Sequence, residues 1–234
     1  MDFREQTVVI TGAAGHLGRA VAAAFAAQGA RLVLIDRDDE LLRRAHGEPS
    51  GERLFIAADL LDAAQVEAAF AAAQRAFGRI DVLCNVAGGF RMGEAVHETS
   101  AATWDFLMDL NARSVVHAAR AAVPRMLQAG GGRIVNVAAG AAQRGMAQMG
   151  AYCASKSAVI RLTEAMAAEL REQGINVNCV LPTIIDTPDN RAAMPDADPS
   201  RWVAPADLAQ VIVFLASAAA RAIHGAALPV SGLS

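Results

Sequence analysis

A glycine-rich turn between a predicted strand and a predicted helix constrains the fold of this chain more than any other segment. The β-branched run Thr7–Thr11 predicts a buried strand, and the sequence Gly-Ala-Ala-Gly-His-Leu-Gly follows it at residues 12–18. An Ala-rich helix at residues 19–28 and a second strand, Arg31–Asp36, complete the unit. Because glycines allow a tight turn and a helix N-terminus offers free N–H groups, this unit is typical of a pyrophosphate-binding site.

Individual residues of this unit have distinct predicted roles. Gly12 and Gly15 let the backbone approach a phosphate, and Gly18 lets the helix pack on the strand. Asp36 lies 18 residues past Gly18, close to the spacing of about 20 expected for an acid that binds the adenosine ribose hydroxyls. A carboxylate there accepts from a 2′-hydroxyl and repels a 2′-phosphate. It therefore favours NAD(H) over NADP(H), although the adjacent Arg37 would weaken that preference.

Strands and helices alternate along the rest of the chain. Further strands are predicted at residues 53–57, 79–84, 133–137, 175–181 and 227–230. Helices are predicted at residues 38–46, 62–77, 103–128, 152–173 and 205–217, with Asp62 as the N-cap of the second of these. No strand carries an alternating polar face. The pattern predicts an α/β fold: a single-domain, doubly wound parallel sheet (Rossmann-like) with helices on both faces, over residues 1–234.

The stretch after the sixth predicted strand, residues 182–199, is predicted to be irregular. It follows the carboxyl end of a strand, where ligands bind in doubly wound sheets. Loops of this length are usually lids or disordered segments. We therefore expect residues 182–202 to form a substrate lid.

Composition and charge argue against several classes of partner. The net charge of -3 gives no electrostatic footprint for nucleic acid or an anionic membrane, and no apolar run has membrane-spanning length. The five histidines and three cysteines show no metal-ligand spacing, so no metal is expected. The odd cysteine count, with a charged N-terminal segment unlike a signal peptide, predicts a cytoplasmic protein with reduced thiols.

A tyrosine and a lysine, Tyr152 and Lys156, lie one helical turn apart at the start of a predicted helix. An ammonium about 4 Å from a phenol is worth about 4 kcal/mol at an effective dielectric of about 20. That corresponds to about 3 pKa units, which would bring a phenol pKa of about 10 close to neutrality, where a general acid/base works best. The alternative is a surface tyrosine beside a solvated lysine, because this spacing alone is a weak pattern.

Several motifs occur together over almost the whole chain. In order they are Thr11-Gly12…Gly18, Asp59, Asn85-Val-Ala-Gly88, Asn111, Tyr152…Lys156 and Pro182…Thr187. Together they resemble the short-chain dehydrogenase/reductase family. The resemblance implies an NAD(P)-dependent oxidoreductase that moves a hydride between nicotinamide and a carbonyl, alcohol or imine-like carbon of a small-molecule substrate. It also implies a homodimer or homotetramer.

The resemblance assigns roles to single residues. Tyr152 would be the general acid/base, and Lys156 would bind the nicotinamide ribose and lower the tyrosine pKa. Asn111 would hold a water of a proton relay through its backbone, with a polar kink in a long helix as the alternative. Thr187 would contact the carboxamide. Asp59 would contact the adenine, with capping of a strand end as the alternative.

Other positions are expected to contact the cofactor by the same resemblance. They are Gly12, Gly15, His16, Leu17, Gly18, Asp36, Arg37, Leu60, Asn85, Ala87, Gly88, Pro182 and Ile185. Two of the motifs depart from the commoner pattern. His16 stands where a middle glycine is usual, although the glycine spacing survives through Gly15. Thr183 replaces the glycine that usually follows the proline.

A third departure concerns the catalytic set. Ala139 occupies the position of the family's serine, thirteen residues before Tyr152, and no Ser or Thr lies between Asn136 and Tyr152. The missing hydroxyl would hydrogen-bond the substrate oxygen as negative charge develops. Losing one such donor typically costs about 10²–10³ in rate.

Dihydropteridine reductases offer one explanation of Ala139, because they also lack the serine and keep the tyrosine and lysine. Residues 84–89 and 186–202 resemble their segments, and a quinonoid pterin is an activated acceptor that needs less help at its reacting atoms. Two alternatives therefore accompany the general prediction: a quinonoid dihydropteridine reductase-like activity, and a weakly catalytic cofactor-binding sensor or assembly protein. A set of flexible methionines and aromatic residues would suit a pocket for a flat apolar ligand, although ordinary core packing explains several of them equally well: Phe90, Met92, Met146, Met149, Met194 and Trp202.

Overall fold

The computed structural model describes all 234 residues and has the predicted parallel sheet. Seven parallel strands lie side by side in the order β3-β2-β1-β4-β5-β6-β7. The strands are β1 (Thr7–Thr11), β2 (Arg31–Asp36), β3 (Arg53–Ala57), β4 (Val82–Asn85), β5 (Gly132–Val137), β6 (Ile175–Pro182) and β7 (Ala227–Val230). Most of these strands are buried along their length, which explains why their sequences show no polar alternation.

The chain has eight α-helices, and six of them pack on the two faces of the sheet. The eight helices are α1 (His16–Ala26), α2 (Asp39–His46), α3 (Ala63–Phe77), α4 (Ala101–Met108), α5 (Ser114–Gln128), α6 (Gly150–Leu170), α7 (Pro188–Ala193) and α8 (Pro205–Leu215). The Asp62 carboxylate accepts from the backbone N–H groups of Ala64 and Gln65, as predicted for an N-cap. None of the helices is both long and apolar enough to cross a membrane.

Two apolar layers hold the helices to the sheet. One layer joins the strands to α1, α2 and α8 through side chains such as Phe25, Leu42 and Ile212. The other joins them to α3, α5 and α6 and includes Phe70 and Met126. Each such large side chain contributes about 1.5–3 kcal/mol when it is fully buried. The stability of the fold therefore comes mainly from the packed sheet and helices, and the connecting loops can hold the functional residues.

The order of the strands creates a switch point between β1 and β4. The chain runs from β1 toward β3 in one direction and from β4 toward β7 in the other. Thr11 and Asn85, the last residues of β1 and β4, pair side by side. Ligands of open α/β sheets bind in the crevice outside the carboxyl ends of strands at such a point.

The predicted single helix at residues 103–128 is wrong in one respect. It is divided by a wider turn, Asp109–Arg113, in which the Ser114 N–H bonds to the Asp109 carbonyl five residues earlier. The residues around this turn are ordinary helix formers, so propensity gives no signal of it. Asn111 lies at its centre, where its side chain bonds to another segment.

The predicted irregular stretch at residues 182–199 is also partly wrong, because it contains α7. The Thr187 hydroxyl accepts from the Asn190 N–H and Pro188 occupies the first turn, a combination that favours helix initiation. Other helices and strands begin or end a few residues from their predicted positions. For example, α1 begins at His16 rather than at residue 19, and β4 spans Val82–Asn85 rather than residues 79–84.

Candidate active site

The three glycines of the turn after β1 differ in what surrounds them. Gly12 has a φ of +65°, and a Cβ there would lie 2.7 Å from the Ala87 backbone. A Cβ on Gly18 would lie 2.2 Å from the Gly12 carbonyl oxygen. Gly15 is exposed, and a Cβ there would meet only that carbonyl oxygen, at 3.4 Å. Gly12 and Gly18 are thus required by the protein's own packing, whereas Gly15 faces the open crevice.

The acid at the end of β2 lies against this turn. One carboxylate oxygen of Asp36 accepts from the Ala14 N–H at 2.9 Å, and the other accepts from the Arg37 N–H at 2.8 Å. The side chains of Arg37 and His16 are exposed beside it. The structure thus brings together the glycine turn, the acid and the adjacent basic residue that the sequence singled out.

The segment after β4 is fixed to the end of β1. The Thr11 hydroxyl accepts from the Val86 and Ala87 N–H groups at 3.2 and 3.4 Å. The buried Asn85 side chain donates to Asn136 at 2.8 Å, so its amide nitrogen is used within the sheet rather than toward the crevice. Thr11 was not predicted as a site residue; its signal is a hydroxyl at a strand end directly before the glycine turn.

The loop after β3 places Asp59 and Leu60 near the same edge. The Asp59 carboxylate accepts from the Leu61 N–H at 2.9 Å, which is the capping alternative that the sequence left open. Leu60 is buried, and its carbonyl bonds to the His117 ring at 2.9 Å, so the loop is attached to α5. A contact between Asp59 and an adenine stays a prediction.

Tyr152 and Lys156 lie in the first two turns of α6. Lys156 is buried and its Nζ donates to the Val137 carbonyl at 3.0 Å. Burial lowers the pKa of Lys156 to about 8. The Tyr152 ring is half-buried and lies edge-on to Phe90, with 4.9 Å between ring centroids.

The predicted direction of the tyrosine pKa is wrong in this structure. Burial raises the pKa of Tyr152 to about 12, rather than an ammonium lowering it. The reason is that desolvation acts on both groups and the Lys156 amine bonds to Val137 instead of to the phenol. Tyr152 is therefore a neutral phenol at pH 7.

Asn111 joins the segment after β4 to α6. Its amide oxygen accepts from the Gly89 N–H at 2.8 Å, and its amide nitrogen donates to the Gly89 carbonyl and the Ser155 hydroxyl, each at 3.0 Å. Ser155 in turn donates to the Tyr152 carbonyl at 2.9 Å. The side chain is fully used, which leaves the backbone of the wide turn as the part that could hold a water. Ser155 was missed by the sequence reasoning, although its place between Tyr152 and Lys156 was a signal.

Gly88 lies where these groups meet. A Cβ on Gly88 would be 2.9 Å from both the Asn111 amide oxygen and the Lys156 amine. The structure thus brings the lysine and the asparagine together beside the switch point, and Ser155 links Asn111 to the backbone of Tyr152.

Ala139 is 5% exposed and has an extended backbone at the end of β5. Thr183 is a candidate for a replacement hydroxyl, because a Cβ on the adjacent Gly140 would meet its methyl group at 3.4 Å. The Thr183 hydroxyl, however, bonds to the Ser231 carbonyl and the Ser234 hydroxyl, both at 2.9 Å. It points to the C-terminal segment, so it does not replace the serine.

The segment at residues 182–202 is attached at both ends. Pro182 is buried in β6, and Ile185 forms a parallel bridge with Val203. Near its other end, Arg201 exchanges two hydrogen bonds with Leu233, at 2.7 and 2.8 Å. Between these attachments lies α7, with the Thr187 hydroxyl accepting at its N-cap, so the Thr187 proton can still be donated elsewhere.

Comparison with known proteins shows the family to which the chain belongs. The family model described as short chain dehydrogenase matches residues 6–198 of this chain. The chain belongs to the short-chain dehydrogenase/reductase family. Members of this family are oxidoreductases that use nicotinamide cofactors and act on small-molecule substrates.

Individual family members resemble the chain over most of its length. It is 38% identical over 246 residues to D-threitol dehydrogenase of Mycolicibacterium smegmatis, covering 99% of this chain and 94% of that relative. It is 38% identical over 218 residues to inactive 2-(S)-hydroxypropyl-CoM dehydrogenase 2 of Xanthobacter autotrophicus, covering 87% and 94%. A structure of 3-ketoacyl-(acyl-carrier-protein) reductase from Brucella melitensis complexed with NADH has a TM-score of 0.88 at 32% identity, covering 98% of each chain. The local resemblance to dihydropteridine reductases gains no support from these relatives and stays a prediction.

Proposed function

We propose that this protein is an NAD(P)-dependent oxidoreductase that transfers a hydride between nicotinamide and a carbonyl or alcohol carbon, or a pterin-like acceptor, with Tyr152 as general acid/base. The observation that carries the proposal is the meeting of the Asn111 and Lys156 side chains at Gly88, with Ser155 linking Asn111 to the Tyr152 backbone on the same helix turn.

The crevice fits a dinucleotide. Gly15 is exposed where a phosphate would lie, and the first turn of α1 carries no acid that would neutralise its positive end. Asp36 would accept from the ribose hydroxyls, and its charge would repel a 2′-phosphate, so NAD(H) is favoured. Thr187 would donate to the carboxamide. A bound nicotinamide supplies or accepts the hydride.

The proton chemistry follows from the two pKa values. At pH 7 the phenol of Tyr152 is neutral, which is the form that donates a proton to a carbonyl oxygen. Lys156, with a pKa of about 8, is mostly charged at pH 7 and stabilises the phenolate left behind. Asn111 would hold, through its backbone, the water that returns the proton from solvent.

The substrate must tolerate Ala139. Without a hydroxyl at this position, the developing oxyanion has Tyr152 as its donor and lacks the second donor, so activated carbonyl compounds are favoured over plain ketones. A quinonoid dihydropterin is one such acceptor.

The test is a panel of activated diketones, plain ketones, quinones and quinonoid dihydropterin, offered with NADH and NADPH while nicotinamide absorbance is followed. We expect turnover of at least one activated class, with NADH preferred. The absence of NADH binding in a calorimetric titration would overturn the proposal.

A second candidate is a cofactor-binding sensor or assembly protein with little catalysis. The buried Ala139 favours it, as does the name of the Xanthobacter relative. Tight NADH binding without turnover of any member of the panel would decide for this candidate.

The remaining proposals concern the domain, the lid, the oligomeric state and the cellular compartment. Residues 1–234 form one domain with residues 182–202 as a lid, and the protein is a homodimer or homotetramer in the cytoplasm. Exposed Trp104 and Val116, on α4 and α5, support self-association, and three free, buried cysteines suit a reducing compartment. Light scattering of the purified protein gives the subunit number.

A further inference from the structure

Two loops near Tyr152 are joined to each other. One follows β4 and the other precedes α6. The Gly93 N–H donates to the Gln148 carbonyl at 2.9 Å, and a Cβ on Gly150 would lie 2.7 Å from the Val96 side chain. The loops therefore form one continuous wall beside the tyrosine.

Large apolar side chains on this wall are exposed. Phe90 is 54% exposed, Met92 55% and Met146 43%. Met92 and Met146 lie within two residues of the Gly93–Gln148 hydrogen bond. Phe90 contacts the Tyr152 ring and is still more than half exposed. When a substrate oxygen reaches the Tyr152 phenol, the substituent next to that oxygen therefore lies against Phe90. Exposed apolar side chains in contact with a candidate catalytic group mark a binding surface.

The charged groups of the first loop have partners within the protein. The Arg91 guanidinium stacks on the Phe106 ring of α4, 3.7 Å from its centroid. The Glu94 carboxylate accepts from Ser100 and Thr103 at the start of α4. His97 lies 3.8 Å from Glu98 on the exposed side. On the second loop the charged side chain is Arg144, which forms no ion pair in the structure.

We propose that Phe90 determines substrate specificity and that the substrate carries a planar aromatic group next to the reacting carbonyl carbon. This inference rests on the proposed function. The phenol of Tyr152 donates to the carbonyl oxygen while the aromatic group packs on the exposed part of the Phe90 ring, with the methionines filling around it. Burial of such a ring corresponds to about 10- to 100-fold in affinity.

The test compares two activated diketones, 1-phenyl-1,2-propanedione and 2,3-butanedione, with NADH, and D-threitol with NAD⁺. We expect wild-type kcat/KM to favour the phenyl compound by at least about tenfold. Phe90→Ala should remove that preference mainly through KM, while 2,3-butanedione changes by less than about twofold. Leu127→Ala, which truncates an exposed apolar residue at the far end of α5, is the matched control and should leave both values unchanged.

Each result has a separate meaning. Turnover without preference for the phenyl compound, or a preference for D-threitol, overturns this inference and leaves the proposed function standing. An equal loss on both diketones in Phe90→Ala makes Phe90 a positioning residue for Tyr152 and overturns the specificity role. If Arg144→Ala, rather than Phe90→Ala, abolishes the phenyl preference, recognition is not by ring packing. The absence of any turnover removes the proposed function and this inference together.

Discussion

The two halves of the crevice are built by different means. The cofactor half, formed by the loops after β1, β2 and β4, is held mainly by close backbone approaches, of Gly12 to Ala87 and of Gly18 to Gly12, and by the Thr11 hydroxyl, which accepts from the Val86 and Ala87 N–H groups. The substrate half, formed by the segments after β5 and β6, depends on side chains, and one of these is Ala139 in place of a hydroxyl. The first half leaves little freedom in residue choice, because steric limits on the backbone are severe. The second half can change its chemistry without disturbing the sheet.

Removal of the phenol should have the largest effect on the substrate half. Tyr152→Phe is expected to lower kcat by about 10²–10⁴, because it removes the general acid and preserves the ring that packs on Phe90. Turnover is measured with the best acceptor of the panel. NADH affinity and the unfolding midpoint serve as controls and should stay close to the wild-type values. Full turnover in this variant would remove Tyr152 from the mechanism.

Restoration of the missing donor should produce the next largest effect. Ala139→Ser should raise kcat/KM for a simple ketone by up to about 10²–10³, because one hydroxyl would then face the developing oxyanion. The matched control is Ala142→Ser, in the following turn, where a hydroxyl should change nothing. No gain at Ala139 would mean that the substrate half differs from the family's usual site by more than one side chain.

The cofactor half can be tested with a pair of glycine variants. Gly12→Ala should cost about 2 kcal/mol or more in the free energy of unfolding, because it adds a clash with Ala87 at a positive φ. Gly15→Ala should cost less than about 1 kcal/mol and instead weaken NADH binding about tenfold. Urea unfolding and a calorimetric NADH titration separate the two effects. Similar destabilisation by both changes would contradict the distinction between packing and ligand-facing glycines.

The pH dependence tests the buried lysine. Lys156 carries its charge below a pKa of about 8 and loses it above, so a reduction rate that needs this charge should be constant below about pH 8 and fall about tenfold per pH unit above it. The Tyr152 phenol, with a pKa of about 12, stays protonated over this range. In Lys156→Arg the guanidinium keeps its charge, and the falling limb should disappear. A limb that begins near pH 10 in the wild type would show that burial does not lower the lysine pKa.

The smallest expected effect concerns cofactor choice. Asp36→Asn keeps an acceptor for the Ala14 N–H and removes the negative charge, so the preference for NADH over NADPH should fall about tenfold. Arg37→Ala should change the ratio in the opposite direction. The ratio of kcat/KM values for the two cofactors gives the answer, and an unchanged ratio in both variants would show that neither residue reaches the ribose.

The contrast between the halves also explains what the sequence could predict. The sheet and the glycine turn were predictable because buried strands and tight turns restrict residue type directly. The wide turn at Asn111 and helix α7 were not, since both depend on particular hydrogen bonds, from the Gly89 N–H to Asn111 and from the Asn190 N–H to Thr187. The direction of the Tyr152 pKa failed for a related reason. Spacing along a helix predicts that two side chains are near each other. It does not predict that the Lys156 amine bonds to the Val137 carbonyl rather than to the phenol.

The hydrogen bonds of the last four residues have a practical consequence for handling the protein. Ser231 and Ser234 hold Thr183, and Leu233 holds Arg201, so this short segment touches both ends of residues 182–202. A purification tag or fusion partner joined to Ser234 would lie next to these hydrogen bonds. We expect it to disturb the contacts of Thr183 and Arg201, and with them the substrate half of the crevice. A tag at Met1 starts near the amino ends of β1 and β2, whereas the crevice lies at the carboxyl ends of the strands. Kinetic work is therefore better done with the tag at the amino terminus.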